Sequence, residues 1–210
     1  MNPYMQRVAA TIFPKSEEKH NIKKALDEWY HTDEMIDTET ADKVCELCGQ
    51  HHLRYQFEIA NKLNQNSLWI GSECIIRFHI TVQNEYGVAL SQDDANKKIK
   101  INKAKLIAEA KIKSVTSSLE ALALVDNEFD IKSFKKYYSE NEKFTPKQAV
   151  TLIWRFKEHN IAYNPAHFKV TMQGKYKNDL LNLKDWQLAK IRPLLTAAQI
   201  VSLESSRNRL

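Results

Sequence analysis

The chain has 210 residues, 43% hydrophobic and 27% charged, which suits one or two globular domains that bury a core without disulfide staples. No segment approaches the roughly 18 consecutive apolar residues that a membrane span needs, and the opening segment lacks the continuous apolar stretch of a secretory signal. Three cysteines exclude an even disulfide framework, and two of them form a C-x-x-C, which in a non-secreted chain favours a metal or redox site. A cytoplasmic protein is expected.

The net charge of +5 is unevenly spread: residues 1–50 carry six Lys/Arg against ten Asp/Glu, so the remainder sums to +9. Seven acids and no Lys or Arg lie between Ala25 and Asp42, whereas seven lysines and one acid, Glu109, lie between Lys97 and Lys113. Such asymmetry is a signature of polyanion binding; its bland counterpart is a solvated, lysine-rich helix.

In chain order, Ser16-Glu17 reads as a capped helix start leading through Ile22, Leu26 and Trp29. An acidic loop to Asp42 is expected next. Tyr55, Phe57 and Ile59 then alternate with Arg54, Gln56 and Glu58, the pattern of a half-buried strand, and Leu68-Trp69-Ile70 returns after a polar turn as its hairpin partner. Ser91 with Asp94 makes a capping-box-like start. Ile101, Ala104, Ala108, Ile112, Val115, Leu119 and Leu122 follow at spacings of three and four, predicting one continuous apolar face on a long helix. Thr145-Pro146 opens another helix through Val150, Ile153, Trp154 and Phe156, which Asn164-Pro165 breaks. Residues 168–172 read as a short strand, Asp185-Trp186 as the start of a helix ending near Pro193, and Thr196 as the cap of a last one.

The cysteines sit in Cys45-Glu46-Leu47-Cys48-Gly49-Gln50-His51-His52 and, past the hairpin, in Gly71-Ser72-Glu73-Cys74. Two thiolates two residues apart can point at one ion, and the glycine lets the chain reverse behind them. Cys74 then falls in the first turn of a helix, so knuckle, hairpin and helix follow in the order of a treble-clef zinc finger. Structural zinc takes four ligands. With three cysteines, the fourth falls to a histidine: the spacing prefers the His51/His52 pair, without choosing within it, over His79. The alternative is a set of buried free thiols.

The string C-x-x-C-G, L-R-Y-x-F-x-I and L-W-I-G-S-x-C-I-x-x-F, carried by Cys45, Cys48, Gly49, Leu53, Arg54, Tyr55, Phe57, Ile59, Leu68, Trp69, Ile70, Gly71, Ser72, Cys74, Ile75 and Phe78, resembles small zinc-finger-like proteins of bacteria and their prophages. The resemblance covers residues 45–78. It implies a phage-linked binding module and supplies neither catalytic residues nor the fourth ligand.

Little favours an enzyme. Glycine is scarce and forms no phosphate-binding loop, and no small-molecule site is evident. A Cys74 nucleophile with His79 as base fails because residues five apart on a helix do not face one another. The zinc-deaminase signature is missing, and the C-x-x-C lacks the βαβ setting of a redox motif.

The resulting expectation is an α+β, mostly helical chain. Residues 1–90 would hold a treble-clef-like hairpin with one structural zinc, and residues 91–210 a long amphipathic helix and a helical basic region. A phage-type accessory protein would bind DNA or RNA through Arg54, Arg77, Lys98, Lys105, Lys113, Lys175 and Lys177, with Phe168, Tyr176 and Trp186 among the basic residues unless they are core. The alternative is an inhibitor or adaptor that engages a host protein through the acidic, aromatic segment 25–42.

Overall fold

A computed structural model describes residues 2–207 as a mixed α/β chain, mostly helical. Helix α1 spans Pro3–Lys15; Asn2 caps it, its side-chain oxygen accepting from the Tyr4 and Met5 amides, with proline at the first helical position. The expected helix from Ser16 is displaced. Ser16 instead closes α1, a short α2 spans Ile22–Asp27, and Trp29 already begins a strand. Buried Trp29 donates its indole N–H to the Ser16 hydroxyl at 2.9 Å, which fixes this crossing.

The expected acidic loop is, over most of its length, strand β1 (Trp29–Asp37). It pairs antiparallel with β2 (Tyr55–Asn61), which pairs antiparallel with β3 (Ser67–Ile70), in the order β1-β2-β3. The sequence does not announce this strand, because its register breaks between His31 and Met35, with Asp33 at φ +67°, and the alternation is interrupted at the acids. The β2–β3 hairpin forms as its alternation predicted, with Phe57 and Ile59 fully buried. Its turn reaches back to α1: the side-chain amides of Asn61, Asn64 and Asn66 all donate to the Lys15 carbonyl, at 3.3, 3.2 and 3.1 Å. They satisfy an acceptor that the end of a helix leaves orphaned. Helix α3 (Ser72–Arg77) follows β3 directly.

Helix α4 (Gln92–Val125) starts as expected, Ser91 exchanging hydrogen bonds with Asp94. Its apolar stripe is not one buried face, however. Val115, Leu119 and Leu122 are buried, but Ile101 is 66% and Ile112 44% exposed. The chain divides into two compact units, residues 1–110 and 111–210, so the division falls inside α4 rather than at 90/91. Ala95 and Ile99 belong to the first core, with Val8, Ile12, Leu26, Trp29, Phe57, Ile59, Ile70 and Ile75.

The second unit continues with α5 (Ile131–Asn141), α6 (Pro146–Glu158), α7 (Lys175–Leu181), α8 (Asp185–Ile191) and α9 (Ala197–Arg207). Thr145 and Gln148 close a full capping box on α6. Thr196 and Gln199 exchange the same pair of bonds at the start of α9. In place of a strand at 168–172 there is a single parallel bridge between Phe144 and Val170. Phe168 is core, stacked on Phe144 and edge-on to Phe156, whereas Trp186 is 54% exposed.

Candidate metal centre

The knuckle turns as its glycine requires. Gly49 lies at φ +73°, and its amide donates to the Cys45 carbonyl while the Cys45 amide donates to that of Gln50, both at 2.8 Å. A Cβ added at Gly49 would lie 2.6 Å from the Arg7 guanidinium, so α1 packs directly on the turn. Glu46 fastens the knuckle to β3: its amide donates to the Trp69 carbonyl, and its carboxylate accepts from the Trp69 amide at 2.6 Å. Cys74 occupies the first turn of α3, delivered by Gly71 at the end of β3.

These elements bring Cys45, Cys48 and Cys74 together, all buried, with their sulfur atoms within 4.8 Å of one another. Cys74 Sγ lies 3.3 Å from Cys48 Sγ and 3.7 Å from Cys45 Sγ, far beyond a disulfide bond, and all three thiols are free. A tetrahedral ion with zinc–sulfur bonds of about 2.3 Å would space its sulfurs about 3.8 Å apart. The cluster is therefore close to the size such an ion demands, and the three residues could hold a metal ion. The local electrostatics agree. The Cys45 thiol is drawn down to about 5, first by its hydrogen bond with Cys74 and then by the Gly71 and Cys48 backbone. Cys74 is driven up by its hydrogen bond with Cys45 and by burial. Without a cation the group thus accommodates thiolate at Cys45 at the expense of Cys74; a divalent ion removes that conflict.

No histidine joins the clustered donors, although His52 lines the cavity beside them. Among the described residues the cluster contains the three cysteines and neither His51, His52 nor His79. The physical reason is the turn itself: Leu53 pairs back with Lys43, so residues 51 and 52 form the exposed crest of the loop, with His52 at φ +63°. His79 is exposed at φ +52° beyond the end of α3.

Above the cysteines lies a cavity of about 450 Å³, whose walls include Tyr4, His52, Arg54, Tyr55, Arg77 and Lys103. The Tyr4 hydroxyl is 4.0 Å from Cys74 Sγ, and burial together with the neighbouring Cys74 and Cys48 pushes it up. Arg77 stands 5.3 Å from the centre of the Tyr4 ring. Tyr4 and Lys103 lie outside the cysteine motif and join the site only through the fold. The Asn2-Pro3 cap would have signalled a helix under Tyr4; nothing local signals Lys103.

The cations expected to meet phosphate divide into two groups. Arg54 is committed to Asp37 through two bonds, of 2.7 and 2.9 Å, and Lys98 to Asp33 and the Gln83 carbonyl. The remainder stay at the surface. Arg77 is exposed, as are Lys113 and Lys105, the latter 3.9 Å from Glu109. Lys175, over the Tyr176 ring, and Lys177 are exposed on the second unit. No helix among the described residues is long and apolar enough to cross a membrane. Comparison with protein-family models, with curated proteins and with solved structures found no match.

Proposed function

We propose that the first unit is a zinc-organised, treble-clef-like module and that the chain is an accessory protein of the phage type that binds nucleic acid through its basic surface. The observation that carries the reading is the cluster of three buried cysteine sulfurs joining knuckle, hairpin and helix. Bound zinc would cross-link these three segments and supply folding free energy to a unit whose sheet has only three strands. The polyanion part rests on the surface exposure of Arg77, Lys105, Lys175 and Lys177; Arg54 and Lys98, less exposed and bonded to Asp37 and Asp33, contribute less.

Native mass spectrometry should find about one zinc per chain, lowered by replacing any one of Cys45, Cys48 or Cys74 with serine. A gel shift at two salt concentrations should show binding to DNA or RNA that weakens steeply with salt. Folded protein without metal would remove the first half of the proposal, and the absence of salt-sensitive binding the second.

One observation favours a rival, a protein–protein adaptor. Strand β1 lies at the sheet's edge, with Asp33, Glu34 and Ile36 exposed, and an edge strand offers backbone groups to a partner strand. Capture of a host protein that is lost in Glu34→Gln with Ile36→Ala would support it.

A further inference from the structure

Resting on the metal reading, we propose that His52 is the fourth ligand, its imidazole turning from the cavity wall onto the ion to close a centre of three cysteines and one histidine. Of the histidines among the described residues, His52 alone lines the cavity that all three cysteines line. Its backbone is held there from both sides. The Gln50 carbonyl accepts from the Cys45 amide at 2.8 Å, and Leu53 exchanges backbone bonds with Lys43 at 2.9 and 3.1 Å. Leu53 in turn packs on Gly71, a methyl lying 3.4 Å from where a Cβ would stand, so position 52 sits beside the chain that delivers Cys74. With the backbone pinned, the side-chain torsions are left to carry the ring to the ion. His52 also adopts φ +63°, a left-handed conformation that residues with a Cβ disfavour and that a bond to the metal would offset.

The charge balance agrees. A divalent ion with three thiolates carries a formal charge of −1. Glu73, Arg77 and Lys103 on the wall sum to +1, and the Arg54 charge is offset by Asp37. The whole is therefore neutral when the fourth ligand is neutral, as an imidazole is, and an added anion would leave a charge uncompensated beside buried sulfurs. Water would satisfy the same sum, but structural zinc is closed by four protein ligands. Glu73 is the other oxygen or nitrogen donor that competes. It precedes Cys74 on α3, and adjacent residues on a helix do not face one another, so Glu73 stays exposed while Cys74 is buried among the sulfurs.

The test uses the full chain loaded with cobalt(II), whose visible absorption reports the donor set directly, beside zinc affinity measured by competition with a chelating dye. His52→Ala should change the cobalt spectrum and weaken zinc by about 100-fold or more, beyond the usual cost of losing a residue that merely supports a ligand. His52→Cys should restore tight binding with stronger sulfur-to-cobalt absorption, because a fourth thiolate replaces the imidazole. His51→Ala, His79→Ala and Glu73→Gln should leave the spectrum as it is in the wild type. If His52→Ala keeps the wild-type spectrum and affinity, the assignment falls while the metal reading stands. A spectrum that changes with Glu73→Gln and not with His52→Ala overturns it in the same way. Failure of the wild type to take up either metal overturns both.

Discussion

Lys98 Nζ lies 2.7 Å from the Asp33 carboxylate and 2.6 Å from the Gln83 carbonyl, which pins the first turns of α4 to the irregularity in β1. A lysine that reads in sequence as one of a run of free cations is a structural tie, with its side chain only 25% exposed.

That tie has a measurable signature. Lys98→Ala and Asp33→Ala should each lower stability by up to about 1 kcal/mol, the range of partly exposed pairs, and the double variant should cost less than the sum. Denaturant titrations of the four proteins give the coupling. In nucleic-acid binding, Lys98→Ala should matter less than Lys105→Ala, because Lys98 would have to abandon Asp33 to reach a phosphate. A larger loss at Lys98 would contradict the pairing.

Acid should weaken the first unit through His31. Its ring is buried and donates from Nδ1 to the Glu58 carbonyl at 2.8 Å. Burial lowers its pKa below the ordinary histidine value, against the opposing pulls of the Glu58 carbonyl and Asp33 and with a further push from Lys98. Between the lowered folded value and the unfolded value near 6.5, the unfolded chain binds more protons than the folded one. Stability from this residue is thus complete above pH 6.5 and is lost as pH falls through the folded value. Urea midpoints at pH 7.5 and 5.5 should differ for the wild type and differ less for His31→Gln.

Along α4, burial rather than periodicity decides the cost of truncation. Leu119 is 1% exposed and Ile101 66%. Leu119→Ala should therefore cost about 2–5 kcal/mol, and Ile101→Ala within about 0.5 kcal/mol of nothing. Thermal melts of the two variants distinguish them, although both residues belong to the same sequence stripe.

What was legible in the sequence was local. The spacing of Cys45 and Cys48, the glycine behind them, the alternation through Phe57 and Ile59, and the caps at Ser91, Thr145 and Thr196 each depend on neighbours within a few residues. Strand β1 was not legible because its partner begins at Tyr55, and because Asp33 interrupts the alternation that would have announced it. Nor was the division inside α4, since spacing alone cannot say that Ile99 joins one core and Val115 another. The histidines do not join the three clustered sulfurs for a related reason. Nearness in sequence to the knuckle places His51 and His52 on its crest, the part of a reversing chain that faces outward.

The three asparagine amides that converge on the Lys15 carbonyl bear on how small this module can be made. All three cysteines fall between residues 45 and 74, and a fragment of that size would contain every sulfur donor. It would lack the carbonyl on which the hairpin turn closes, and with it Val8 and Ile12, which lie under the sheet in the same core as the cysteines. The ligands are thus contiguous while their scaffold is not. The compact unit that holds the centre starts from the cap at Asn2 and runs on to Ala110.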